Sequence, residues 1–115
     1  MKRFTETLKW RDPWYRRLSP EAKLLWSYLT DNCNCIGLIE LDIEAASFDI
    51  GTEIKKCHLS ELESRTQALS NGKIFIPKFI QFQYGNPSPT CPAHKPVIKM
   101  IELHQLTMTE IGYQY

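Results

Sequence analysis

Gly37-Leu38-Ile39-Glu40-Leu41-Asp42-Ile43-Glu44-Ala45-Ala46-Ser47-Phe48-Asp49-Ile50-Gly51 changes its apolar period from two to 3.6 partway along. The first five residues alternate and favour extended backbone, which predicts a short strand. Asp42 then offers a side-chain oxygen to the free amides of a first helical turn. Ile43, Ala46 and Ile50 fall on one side of that helix, and Gly51 supplies its left-handed stop. A strand thus runs directly into a capped helix.

Working outward, Asp12-Pro13 reads as a cap and first-turn proline for a short turn through Trp14, Tyr15, Arg16 and Arg17. Ser19-Pro20-Glu21 repeats the signal and opens a longer helix ending near Asp31 or Asn32, with Ala22, Leu25, Trp26 and Leu29 as its buried stripe. Downstream, Ser60-Glu61-Leu62-Glu63 has the form of a capping box, though the helix it marks has alternative starts near Thr52 or Cys57. Asn71-Gly72 predicts a two-residue hairpin turn between 66–70 and 73–76, with Leu69 opposite Ile74 and Ala68 opposite Phe75. Phe79-Ile80-Gln81-Phe82-Gln83-Tyr84 continues the strand pattern beyond Pro77. Gly85-Asn86-Pro87-Ser88-Pro89 then breaks it, and Pro96 opens a last helix with Val97, Met100, Ile101 and His104 on one face.

This order is that of an α+β winged helix-turn-helix: three or more helices, a small antiparallel β-hairpin as the wing, and an extra C-terminal helix. One domain is expected over residues 1–115, with its core at about 10–84 and a C-terminal loop and helix over 85–106. A chain of 115 residues with 43% apolar content can bury a modest core. Polar residues follow Met1 at once and no apolar run approaches the roughly 20 residues that span a bilayer, so the expectation is a soluble, cytoplasmic protein with reduced thiols and no membrane association. Net charge is only +1, but it is segregated. Residues 1–23 carry seven basic and three acidic groups, residues 24–54 six acidic and no basic, and residues 55–115 seven basic and four acidic. Any contact with nucleic acid must therefore use a local patch rather than the field of the whole molecule.

Lys2, Arg3, Lys9, Arg11, Arg16 and Arg17 are interleaved with Phe4, Trp10, Trp14 and Tyr15. The cations suit phosphates and the rings suit stacking on sugars or bases. The competing reading packs Trp10 and Trp14, four apart, onto the core and leaves the arginines to solvate the arm. Lys55 and Lys56 sit at the start of the helix that would enter a groove, Asn71 and Lys73 at the wing tip and Lys78 just beyond it, with Ser60, Glu61 and Arg65 as candidate base readers. An exposed lysine beside an Asn-Gly turn also serves simply to discourage edge pairing. Cys33, Cys35, Cys57, His58, Cys91 and His94 carry zinc-binding side chains, but their spacing fits no knuckle and no metal or other cofactor is expected. The five glycines are isolated, the three histidines fall in no nucleophile motif, and Asp42 and Glu44 are explained by capping, so no enzymatic activity is expected.

Trp10-Arg11-Asp12-Pro13-Trp14-Tyr15-Arg16-Arg17-Leu18-Ser19-Pro20-Glu21-Ala22-Lys23-Leu24-Leu25-Trp26, Asp31-Asn32-Cys33, Ala46-Ser47-Phe48-Asp49-Ile50-Gly51 and the run from Gly72 to Gly85 resemble the amino-terminal winged-helix domain of phage replication initiators. These replisome organisers are distantly similar to primosomal DnaD-like proteins. The resemblance covers roughly residues 4–104, and Phe82-Gln83-Tyr84-Gly85 is its most distinctive phrase. It implies a phage or mobile-element protein in a bacterial host that binds double-stranded DNA, as a monomer or homodimer, in replication initiation or its regulation. Host or phage replication proteins would then be further partners, recruited in that family through a separate carboxy-terminal region. The alternative is a phage-encoded inhibitor, in the manner of anti-CRISPR proteins, that turns its acidic middle segment toward a host defence complex.

Overall fold

The computed structural model describes residues 2–69, 72–85 and 87–103. A 3₁₀ turn, Thr7–Arg11, leads into α1 (Pro13–Arg16) and α2 (Pro20–Asn32). These are followed by β1 (Leu38–Glu40), α3 (Ile43–Ile50), α4 (Lys56–Ser60), β2 (Gln67–Ala68), β3 (Lys73–Phe75), α5 (Phe79–Tyr84) and α6 (Lys95–Leu103). The class is α+β, with one three-stranded antiparallel sheet in the order β1-β3-β2.

α2 is the central helix. Ser19 caps it by accepting from the Ala22 N–H at 3.1 Å, Pro20 occupies its first turn, and Ala22, Leu25 and Leu29 are fully buried along one stripe. Glu61, which lies inside the Ser60–Glu63 capping-box pattern, crosses to α2. Its carboxylate accepts the Ser19 N–H at 2.8 Å and the Ser19 hydroxyl at 2.6 Å. The second half of a capping box, normally supplied three residues into the same helix, thus comes from 42 residues away. Accordingly α4 does not start at Ser60 but ends there, and Lys55, whose N–H donates to His58 Nδ1 at 2.9 Å, stands at its entry.

The other end of α2 is closed by the amino-terminal arm. The Arg3 guanidinium donates to the carbonyl oxygens of Thr30, Asp31 and Cys33 at 2.9, 3.2 and 2.7 Å and lies 5.0 Å from the Phe79 ring. A cation at the negative end of a helix satisfies carbonyls that have no partner within it. Gln83 holds the next residue by both of its amide groups, accepting from the Phe4 N–H at 3.0 Å and donating to the Phe4 carbonyl at 2.8 Å. Beyond α2, Gly37 passes against β3 and α5 with φ +86°, where a Cβ would come within 2.8 Å of the Ile76 oxygen and the Phe79 Cβ. Only glycine fits there.

α3 forms as expected, with Asp42 accepting from the Glu44 and Ala45 N–H groups and Gly51 at φ +92°. Ser47 then ties the exit of α3 to the approach to α4 by accepting the Ile54 N–H at 2.8 Å. The hairpin differs from expectation by one residue. Ala68 pairs with Ile74 and Gln67 with Phe75, while the Leu69 N–H donates to the Lys73 carbonyl at 2.8 Å. The register is therefore shifted by one from that of a two-residue Asn71-Gly72 turn, and Gly72 has φ +73°, a left-handed value that glycine takes without strain.

The expected continuation of the strand through Phe79–Tyr84 is a helix, α5. Pro77 ends the ladder because it has no N–H, and Phe79 and Ile80 are adjacent yet both buried, which a half-buried strand cannot achieve. The buried residues form two clusters. Tyr15, Leu18, α2, Ile54, Leu62, Ile76 and Phe79 make one; Ile36, Leu38, Phe75, Ile80 and Val97 make the other, flanked by Met100 and Ile101. The last helix begins at Lys95 after a 3₁₀ turn at Pro92–His94, while His104 and the rest of the expected segment to 106 lie outside the described residues.

Replacing Ser19 by Ala removes the α2 cap and the hydroxyl that donates to Glu61, leaving Glu61 only the backbone N–H of residue 19, and should cost about 1 kcal/mol or somewhat more, read as a lower urea midpoint. The Ser19 hydrogen bonds hold the Glu61 carboxyl below its ordinary value of 4.5. Its stabilisation is therefore complete above pH 4.5 and lost as pH falls through the lower folded-state value. Glu61→Gln should flatten the stability profile in that acid window and leave its slope near neutrality unchanged.

Candidate nucleic-acid interface

The cations nominated from sequence separate into those already engaged within the chain and those left free. Arg65, which follows the turns after α4, is engaged. Its Nη1 meets Asp12 Oδ2 at 2.7 Å, and its guanidinium lies 4.2 Å from the Trp14 ring centroid. Asp12 also caps α1 through the Trp14 N–H at 3.0 Å, and the Arg65 hydrogen bond holds its carboxyl below the usual range. Arg65 is thus a clasp between α1 and the end of the α4 turns rather than a free base reader. Lys9 is partly engaged, its ammonium lying 5.7 Å from the Trp10 ring centroid and 5.4 Å from that of Tyr15.

Arg11, Arg16, Arg17, Lys55, Lys56 and Lys78 are exposed, and none of them forms an ion pair among the described residues. The Glu61–Ser19 hydrogen bonds bring the α1–α2 linker, which follows Arg16 at the end of α1 and begins at Arg17, against the end of α4. Ser60 is exposed beside them, its hydroxyl donating back to the Lys56 carbonyl. Lys73 is half-buried across the sheet from Glu40 and lines a shallow hollow of about 200 Å³ with Asn34. Lys78 lines a different, larger groove of about 660 Å³ together with Lys9 and Arg65, walled by Trp14, Trp26, Phe79 and Phe82. The lysines on either side of β3 therefore serve separate depressions, and Lys55 and Lys56 border neither. Asn71 lies outside the described residues.

Of the aromatic residues, Trp14 stacks edge-on against Trp26 at 5.2 Å, as core packing predicts. Trp10 does not join it. It meets Tyr15 edge-on but remains 62% exposed, because the 3₁₀ geometry of residues 7–11 abolishes the helical spacing that would have aligned it with Trp14. The residues that position this surface and went unrecognised are Glu61, Arg3 and Gln83. Each acts on a backbone group far away in sequence, and no local pattern announces that.

Among the described residues no three His, Cys, Asp or Glu side chains gather as metal ligands, and no helix is long and apolar enough to cross a membrane. Burial pushes the Cys33 thiol up to about 11 against the opposing influence of Arg3, and burial raises Cys35 as well. His94 Nδ1 accepts the Ser88 N–H at 3.1 Å, closing its own loop. No protein-family model, curated protein or solved structure matches this chain.

Arg65→Ala should lower the melting temperature by a few degrees, since it removes both the ion pair and the cation–π contact that close the clasp. Arg65→Lys should recover only part, having no planar face to lay on Trp14. Exposed Cys57 should react with a thiol reagent in the native protein, whereas buried Cys33 should wait for denaturant. Equal rates for the two would contradict this burial pattern.

Proposed function

We propose that this chain is a winged-helix domain that binds duplex DNA, with α4 as the helix offered to the major groove and the β2–β3 hairpin as the wing. The observation that carries this reading is the topology. α3 and α4 lie between β1 and β2 in the chain, and β1 pairs with β3, so the helix pair and the hairpin are joined through one small sheet. Lys55 and Lys56 at the entry to α4, with Arg16 and Arg17 at the start of the linker held against its end, supply free positive charge next to that helix. They are the residues assigned to phosphate contact. Arg65 is given no phosphate contact in this reading, since its Nη1 is held by Asp12 and its guanidinium lies over Trp14. The resemblance to phage replication initiators makes origin recognition the biological setting that this reading favours.

If the four cations each neutralise one phosphate, log affinity should fall against log salt with a slope of about −3.6. Fluorescence anisotropy with a labelled duplex measures it. The Lys55→Glu, Lys56→Glu double variant should bind at least tenfold more weakly and with a shallower slope, while keeping the wild-type melting temperature because both side chains are exposed. Absence of duplex binding at 50 mM salt, or unchanged affinity in the double variant, would reject the interface.

A further inference from the structure

We propose that copies of this chain associate head to tail, the outer face of α3 in one copy meeting the 3₁₀ segment Thr7–Arg11 of the next. Phe48 stands on the outer face of α3 with 87% of its surface exposed, although it is large and apolar and its neighbours Ala46 and Ile50 turn inward. Exposed carboxylates surround it: Glu44 one turn before, Asp49 beside it and Glu53 just past the helix. The Tyr28 hydroxyl donates to Asp49 Oδ2 at 3.0 Å and orients that carboxylate. An isolated surface Leu or Phe is ordinary, but a phenyl ring centred in a field of one charge has the form of an anchor with a polar rim.

The complement is present on the same molecule. Leu8 and Trp10 are 64% and 62% exposed, with Lys9 between them in sequence and Arg11 following. The Lys9 and Lys23 ammonium groups both lie within 6 Å of the Tyr15 ring centroid, so their charges gather at this end. One surface is apolar at its centre and acidic at its edge; the other is apolar and net basic, its cations Lys9, Arg11 and Lys23 outnumbering the Glu6 carboxylate, which accepts the Leu8 N–H at 2.9 Å. The whole chain is near neutrality at +1, so copies do not repel one another as they meet.

α2 shows why the contact does not close on itself. Lys23 belongs to the basic surface and Tyr28 to the acidic one, and five residues along a helix is a rotation of about 140°. The two surfaces thus face in different directions, and a copy bound at one leaves the other open. Such a heterologous contact propagates rather than ending at a dimer. With Phe48, Trp10 and Leu8 as its apolar centre the contact is small, and association on the order of ten to a hundred micromolar fits an interface of that class. Because the flanking charges are exposed, it should weaken several-fold between 50 mM and 500 mM salt.

Sedimentation velocity on the full chain without DNA tests this, independently of whether the protein binds a duplex. At 50 mM salt the weight-average coefficient should climb with concentration past the dimer value. Phe48→Asp and Trp10→Asp should each be monomeric alone, yet an equimolar mixture should form a dimer and stop there, because each variant retains the surface the other lacks. Leu8→Asp, which leaves the Trp10–Tyr15 contact intact, should replace Trp10→Asp in that mixture with the same result. A wild-type monomer at several hundred micromolar would overturn the proposal and leave these surfaces to a different protein. A wild-type dimer that grows no further, or a mixture that stays monomeric, would overturn it as well.

Discussion

The Glu61 carboxylate is where the two halves of this molecule are joined. It takes both the N–H and the hydroxyl of Ser19, so the first turn of α2 and the turns after α4 share one set of hydrogen bonds. Four residues on, Arg65 binds Asp12 and repeats the arrangement at α1. Two helix N-caps, Asp12 and Ser19, are thereby completed from the same short stretch of chain, 61–65. Anions are favoured at a helix N-terminus and Arg65 holds one of the capping carboxylates in position, so each contact strengthens the local capping it touches. Leu62, fully buried between Glu61 and Arg65, fills the space these contacts enclose.

The amino-terminal arm performs the corresponding task at the far end of α2. Arg3 satisfies three carbonyls with one guanidinium, and Gln83 pairs with the backbone of Phe4 as a neighbouring strand would. Residues that composition marks as part of a phosphate-binding cluster thus turn inward as structural groups. Among the described residues this narrows the free cations to those without an ion pair, from which the proposed interface takes Arg16, Arg17, Lys55 and Lys56, the ones near α4.

Charge segregation along the chain persists only in part in space, since Lys73 lies across the sheet from Glu40. All six carboxylates of residues 24–54 are exposed, and those of α3 surround a phenyl ring that the chain's own core does not cover. A molecule that binds DNA through one surface and its own copies through two others would assemble along a duplex in register with it. Each contact in such an array is individually weak, and the array gains strength from linking them.

Local chemistry made much of this architecture legible. Asp12-Pro13, Ser19-Pro20 and Asp42 with Gly51 mark α1, α2 and α3 because capping is decided by a few adjacent residues, and the buried stripe of α2 follows from its period. Where a choice depended on contacts distant in the chain, the pattern misled. Phe79–Tyr84 alternates like a strand but coils into a helix once Pro77 has ended the ladder and both Phe79 and Ile80 find buried sites. The hairpin register differs by one from the one a two-residue Asn-Gly turn sets, and β3 is paired on its other edge with β1 as well. Which carboxylates and guanidinium groups bond internally, and therefore which charges remain free for a partner, is a property of side chains meeting across tens of residues. Glu61 reads in the sequence only as an interior residue of the Ser60–Glu63 pattern, and folding brings Ser19 beside it.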